Sequence, residues 1–279
     1  MIPIVMSEMM NQTNPTNTTS HSKIKKLEDY DKTLPVVEVY PCVQSEGSRQ
    51  GKPTIAIRTT GCTHRCWFGE GGWCDSWYTS IHPEKGTITF NDIVKMYDDN
   101  PHIKEMMLTG GSPTMHPILV NELVNFAANR GIVVTIETEG SHFVETELPI
   151  DLISLSPKFS NSVPELGVKT PAGKETDQRM IDQHNKFRLN HAAIKQMIEY
   201  HHDYHYKPVW DGTEYNLEEI EEFRVLHNIP KSKTWIMPAG DSREELIKMY
   251  FKTIEMCTKH GYNFTGREHI IAYNTERGV

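Results

Sequence analysis

From residue 36 onward, short runs of aliphatic and β-branched residues alternate with longer stretches whose apolar positions recur at helical spacing. Val36–Tyr40, Thr54–Arg58, Lys104–Thr109, Ile132–Glu137, Asp151–Ser156, Tyr204–Trp210 and Lys233–Met237 predict strands. Asn91–Asp98, Pro117–Asn129, His191–Tyr200, Leu217–Leu226 and Arg243–His260 predict helices; Leu119, Leu123 and Phe126 mark the buried face of the second, and Asn91 is placed to cap the first. Strands alternating with helices predict an α/β fold with a mostly parallel sheet, outer helices and a full or partial TIM-type barrel. Ligands then belong at the C-terminal ends of the strands.

Two segments break this rhythm. Residues 1–34 are rich in Asn, Thr, Ser and Lys, and Asn11–Ser22 has no large apolar side chain, so a disordered or extended tail is expected. Residues 159–190 are polar, with Pro164, Gly167, Pro171 and Gly173, and read as an insertion or mobile loop inside a single domain spanning 35–279.

Composition narrows the classes. The chain has 279 residues, 37% hydrophobic and 24% charged, with net charge −8, which excludes binding to nucleic acid or a membrane surface by bulk electrostatics. No apolar run approaches the roughly 20 residues that span a bilayer. Met1–Met10 lacks the basic start and apolar core of a signal peptide, so a cytoplasmic location is expected. In that compartment five cysteines, three of them between positions 62 and 74, favour metal binding or catalysis over disulfides.

The cysteine segment reads Gly61-Cys62-Thr-His-Arg-Cys66, then Trp73-Cys74-Asp75-Ser76. Three thiolates on one loop can hold three irons of a cubane and leave the fourth iron open to a ligand. A zinc site with His64 or a distant residue as fourth ligand uses the same residues, and the spacing alone does not separate the two. Cys42 and Cys257 lie far away in the chain. His201, His202 and His205 sit near an expected helix end and form no ligand cluster.

A Cys-x3-Cys-x-aromatic-Cys loop after a first strand resembles the radical S-adenosylmethionine (SAM) superfamily. Here about five extra residues, rich in glycine (Gly69, Gly71, Gly72), separate Cys66 from Trp73-Cys74. Thr109-Gly110-Gly111-Ser112-Pro113 resembles the family turn that presents carbonyls to the SAM amino group, with Ser112 where Glu is usual. The flanking residues resemble the 7-carboxy-7-deazaguanine synthases: Val43-Gln44-Ser45-Glu46-Gly47, Gly51-Lys-Pro53, Ile57-Arg58, Glu137-Thr138-Glu139-Gly140, Ser156-Pro157-Lys158, Met237-Pro238-Ala-Gly240, Arg267-Glu-His269 and Arg277-Gly278-Val279.

That resemblance implies a partial barrel of the radical SAM kind. It also implies conversion of 6-carboxy-5,6,7,8-tetrahydropterin to 7-carboxy-7-deazaguanine with loss of ammonia, toward queuosine-type 7-deazaguanines. A 4Fe–4S cluster on Cys62, Cys66 and Cys74 would cleave SAM to a radical that takes hydrogen from the pterin. Mg²⁺ would sit on Ser76, where the family has Thr and where a helix cap is the plain alternative. Trp73, Asp75, Gly111, Ser156, Lys158 and Met237 would bind SAM. Val43, Gln44, Ser45, Glu46, Arg58 and Thr109 would bind substrate, Arg58 as a two-pronged donor to its carboxylate unless a structural ion pair claims it. A reducing protein such as a flavodoxin or ferredoxin, and a homodimer, are implied as well; no nucleic acid or membrane partner is. A glycyl-radical activase-type radical SAM protein would share the cluster and the Gly-Gly turn without accounting for Arg58, Gln44 and Glu46; a non-catalytic metal-stabilised binding protein would suit Ser112 and the insertion between Cys66 and Cys74.

Overall fold

A computed structural model describes residues 24–69 and 72–279. Strands β1 (Val36–Val43) and β2 (Pro53–Thr59) are followed by α1 (Trp77–Ser80), α2 (Phe90–Asp99), β3 (Glu105–Gly110), α3 (Pro117–Arg130), β4 (Val133–Thr138) and β5 (Leu152–Leu155). Then come α4 (Gln178–Phe187), α5 (His191–Tyr200), β6 (Tyr204–Tyr206), β7 (Val209–Trp210), α6 (Glu214–Leu226), β8 (Trp235–Pro238), α7 (Arg243–His260), β9 (Asn263–Phe264) and α8 (Glu268–Tyr273).

Strands β1 to β6 form one sheet in chain order, antiparallel between β1 and β2 and parallel thereafter. Strands β7, β8 and β9 form a second parallel sheet, joined to the first by a bridge between Tyr206 and Thr234. The result is the expected partial barrel with outer helices.

Side chains on a strand alternate between faces, and that alternation separates core from cleft. Ile55 and Ile57 of β2, Met106 and Leu108 of β3, Val134 and Ile136 of β4, and Ile153 and Leu155 of β5 enter the core with Ile93, Leu119, Leu123, Ala127 and Ile194 of the helices. Their opposite-face neighbours Arg58, Met107, Thr109, Glu137 and Ser154 line the interior cleft. The β2–β3 register sets Arg58 beside Thr109. An even register shift would preserve the pattern; a shift by one would bury Arg58 in the apolar layer.

Several expectations are revised. Helix α2 begins at Phe90, and its cap is Thr89, not Asn91: the Thr89 hydroxyl accepts from the Asp92 N–H while the Asp92 carboxylate accepts from the Thr89 N–H. The run 204–210 is two strands, because Pro208 has no N–H to continue the ladder and Lys207 turns inward between them. Residues 159–190 contain a Lys169–Glu175 bridge and α4, capped by Asp177, whose carboxylate accepts from the Met180 N–H at 2.9 Å. Of the expected tail, residues 1–23 lie outside the described residues. Residues 24–34 contain no helix or strand and are mostly exposed, with Leu27 and Leu34 packed against the core; Tyr30 lies 4.8 Å from the Phe90 ring and donates to the buried Glu122 of α3. Among the described residues no helix is long and apolar enough to cross a membrane.

Candidate functional site

The cysteine loop leaves the C-terminal end of β2 and returns as a small hairpin. Trp67 and Trp73 pair as antiparallel neighbours, Phe68 N–H donates to Gly72 O at 2.8 Å, and Cys74 N–H donates to Cys66 O at 3.0 Å. Cys66 and Cys74 therefore face each other at the hairpin base. Cys62, Cys66 and Cys74 all line one cavity of about 240 Å³. No disulfide joins them. Burial pushes all three thiols upward, Cys66 to about 11, so a thiolate at these positions needs a cation to hold it.

Cys42 also lines the cavity, with Arg58 and Glu137 as its charged neighbours. Cys257 is buried under α7, with its thiol donating to Asn263 O at 3.6 Å. His64 remains close: a ring nitrogen, the Cys62 sulfur and a Glu139 oxygen lie within 4.8 Å of one another. The His64 Nδ1 already shares a hydrogen with Thr63 Oγ1 at 3.0 Å, and its Nε2 is buried without a partner. The donor set of three converging thiols fits an iron–sulfur cube with one open corner.

The Gly-Gly turn closes on this loop. Ser112 N–H donates to Gly61 O at 2.7 Å and Gly111 N–H to Thr59 O at 3.0 Å. A Cβ on Gly111 would collide with the Gly61 carbonyl, so only glycine permits this approach. Gly110 and Gly111 line the cavity, as do Trp73, Asp75, Ser156, Lys158 and Met237. The Trp73 indole N–H is committed to Lys169 O at 2.9 Å, which docks the 159–190 segment beside the hairpin. Helix α4 covers the loop from above, with Arg65 N–H donating to His184 Nδ1 at 3.0 Å.

The second half of the cavity is a network of charges. Lys207 Nζ donates to Glu46 at 2.5 Å and to Glu137 at 2.7 Å, and its side chain is only 3% exposed. Arg267 joins Glu46 (3.2 Å) to Asp75 and donates to Gly240 O at 2.6 Å. Burial would raise the Glu46 pKa, but Lys207 and Arg267 overcome it and hold that carboxyl at about 2. Asp75 is likewise held below the ordinary range, burial being outweighed by Arg267. Lys207 is held above its ordinary range: its two carboxylates overcome the burial penalty.

Arg58 donates through Nε to Glu38 at 2.8 Å and through its two terminal nitrogens to Ser76 Oγ (3.0 Å) and Tyr40 Oη (3.1 Å). The ion pair weighed as the alternative therefore exists, yet the guanidinium still lines the cavity. Ser76 precedes α1 but makes no capping hydrogen bond; its hydroxyl donates to Asp75 at 3.2 Å. Thr109 donates to Glu137 at 3.3 Å.

Val43, Ser45 and Glu46 reach the cavity; Gln44 does not. Gln44 is 2% exposed and its amide donates to Glu105 Oε2 at 3.4 Å, at the opposite end of β3 from Thr109. Gln44 follows the last residue of β1, and the turn there, with Gln44 N–H donating to Lys52 O at 2.9 Å and Gly51 N–H to Gln44 O at 2.8 Å, directs its amide to Glu105 rather than into the cavity. Gly47, which follows Glu46, has φ +72°, and any side chain there would strike the His205 ring.

Lys207, Glu137, Glu139, Arg267 and His269 line the cavity without having been singled out by their chemistry. Lys207 and Glu46 are 161 positions apart, and no local pattern carries such a pairing. The Arg267-Glu-His269 and Glu137-Thr138-Glu139 motifs were the available signal.

No family model matches the chain. It is 32% identical over 248 residues to the 7-carboxy-7-deazaguanine synthase of Halobacterium salinarum, covering 86% of this chain and 91% of that protein. It is 31% identical over 249 residues to the enzyme of the same name from Rhodopirellula baltica, covering 89% and 90%. The crystal structure of QueE from Escherichia coli superposes with TM-score 0.56 at 18% identity, over 84% of this chain and 93% of that one.

Proposed function

Because the chain belongs to the 7-carboxy-7-deazaguanine synthase family, we propose that the cavity described above performs the family's ring contraction with the residues it brings together. The enzyme is a radical SAM carbon–nitrogen lyase that converts 6-carboxy-5,6,7,8-tetrahydropterin to 7-carboxy-7-deazaguanine, releasing ammonia, in 7-deazaguanine biosynthesis. The observation that carries the reading is the meeting of three cysteines and a buried Glu–Lys–Glu network in one cavity.

Cys62, Cys66 and Cys74 hold the cluster, which when bound supplies the electron that cleaves SAM. Gly111, the Trp73–Asp75 backbone, Ser156, Lys158 and Met237 bind SAM on the cluster side. On the far side, Arg58 binds the pterin carboxylate; Tyr40 and Glu38 fix its planar head, so little side-chain entropy is lost on binding. Glu46 stays ionised at neutral pH and accepts from the N–H groups of the aminopyrimidinone edge. Thr109, Glu137, Val43 and Ser45 complete that wall. Gln44 supports the loop from behind and touches no substrate.

Ser76 Oγ and the Asp75 carboxylate are hard oxygens suited to Mg²⁺. The Arg58 guanidinium 3.0 Å from Ser76 opposes a cation, so Mg²⁺ enters together with the anionic substrate. A flavodoxin- or ferredoxin-like donor, a homodimer and a cytoplasmic location complete the proposal; the five free cysteines suit a reducing compartment.

The test is anaerobic reconstitution with iron and sulfide, then incubation with SAM, reductant, Mg²⁺ and carboxytetrahydropterin. Carboxydeazaguanine is the expected product by mass spectrometry. Release of 5′-deoxyadenosine without it would move the substrate elsewhere, and release of neither would overturn the reading.

A further inference from the structure

Two polar side chains in the cavity wall take no part in the charge network on the side of Glu46 and Lys207. Ser154 of β5 stands between Glu137 of β4 and His205 of β6 in the strand register. It lines the cavity and is 1% exposed. Its Oγ lies 2.8 Å from His205 Nε2. On the other side of the ring, Nδ1 lies 3.4 Å from the Ser48 backbone nitrogen, which donates to it, and 2.8 Å from Ser48 Oγ.

A backbone N–H can only donate, so Nδ1 is the accepting nitrogen. Burial keeps the imidazole neutral, pushing its pKa down to about 3. A neutral ring with an accepting Nδ1 carries its proton on Nε2. Nε2 therefore donates to Ser154, and the Ser154 hydroxyl proton has to go elsewhere. Among the described residues no acceptor receives it. Glu137, its neighbour in the register, already accepts from Thr109 on one oxygen and from Lys207 on the other. A buried donor without an acceptor is costly, and one that lines a cavity can be satisfied by what enters it.

The segment 205–207 also holds Glu46. A Cβ at Gly47, the residue after Glu46, would lie 2.4 Å from His205 Cε1, and Lys207 donates to Glu46 and Glu137. Glu46 is ionised and has no proton to give. A ring edge that offers N–H groups to Glu46 carries a carbonyl oxygen beside them, and that oxygen needs a donor. We propose that Ser154 is a specificity-determining residue that donates to the ring carbonyl of the pterin, and that His205 is the positioning residue that turns the Ser154 hydroxyl toward it. The assignment rests on the carboxytetrahydropterin reading above. An amino group in place of that carbonyl would set donor against donor, so the pair selects the oxo form of the ring.

The experiment measures anaerobic calorimetric binding of carboxytetrahydropterin, and of its analogue with an amino group in place of the ring carbonyl, to the cluster-loaded, SAM-bound protein without reductant. Ser154→Ala should bind the carbonyl ligand weaker by roughly 5- to 30-fold, the span expected for one buried hydrogen bond, and should bind the amino analogue no weaker than the wild type. Undiminished affinity for the carbonyl ligand would overturn the assignment. Equal losses for both ligands would do so too, because a merely structural role for Ser154 weakens both alike. His205→Gln can still accept from Ser48 and donate to Ser154, and should keep the preference for the carbonyl; His205→Leu should lower it. An unchanged preference in His205→Leu would overturn the positioning role. A wild-type protein that binds SAM and neither pterin would defeat the functional reading itself.

Discussion

The N–H of Cys74 donates to the carbonyl of Cys66 at 3.0 Å, so two cysteines separated by seven residues are backbone neighbours. Between them Trp67 pairs with Trp73, and Phe68 N–H donates to Gly72 O. Removing residues 68–72 should therefore leave the cluster in place, with about four irons per chain after anaerobic reconstitution. Cys66→Ala should lose the cluster and all SAM cleavage. Iron and sulfide analysis reads both; full iron in Cys66→Ala would reject the ligand set.

Lys207→Met removes the one amine shared by Glu46 and Glu137. Glu137 is then left without its cation and Glu46 keeps only Arg267. Breaking such a buried pair costs about 3–5 kcal/mol. Urea denaturation of the cluster-free protein should show that loss. A change below about 1 kcal/mol would mean that water already screens the network.

Arg58→Ala should raise KM for the pterin by roughly 10- to 100-fold, the value of a charged, two-pronged hydrogen bond. Iron content should not change, because Arg58 touches no cysteine. Glu38 keeps a partner in Arg277 at 3.0 Å, so the fold should tolerate the change. An unaltered KM would remove Arg58 from substrate recognition.

Acid stability should begin to fall near pH 6.5, well above the carboxylate range. Burial pushes His205 down to about 3, with Lys207 adding to the effect, and burial pushes His201 down to about 4. Each is neutral when folded and takes a proton near pH 6.5 when unfolded. The unfolded chain thus binds more protons between these values, and stability drops as pH falls through that window, by up to about 1.4 kcal/mol per unit for each histidine. Glu46, depressed from 4.5 to about 2, adds its loss only below 4.5. His205→Gln should flatten the limb between pH 6 and 4 in denaturation series. An unchanged slope would rule out His205 as a contributor.

Much of this architecture is legible in the chain. The period-2 runs that place Ile55, Ile57, Met106 and Leu108 in the core also place Arg58 and Thr109 in the cavity, since one alternation decides both. Local turn chemistry marks Gly110-Gly111. Other features depend on distant partners. β6 and β7 looked continuous because Lys207 and Pro208 interrupt an otherwise apolar run, and inward rotation of a lysine is stabilised only by Glu46 and Glu137 from other strands. Gln44 and Glu46 share one motif, yet both lie beyond the end of β1, where the loop's own turn, and not strand alternation, sets which side chain faces Glu105 and which the cavity. Helix α4 hides in a polar segment because its docking surface is the cysteine loop itself, through His184 and Gln183.

The hairpin between Trp67 and Trp73 separates two kinds of distance. Along the chain, the gap between the second and third cysteines can lengthen by any stretch that zips into paired strands. In space, the sulfurs stay where they were. A motif defined by fixed gaps between letters passes over such a chain, whereas one defined by which backbone groups face each other does not. Backbone pairing at Trp67–Trp73 and Cys66–Cys74, not the count of residues that joins them, is accordingly what fixes the positions of the second and third cysteines.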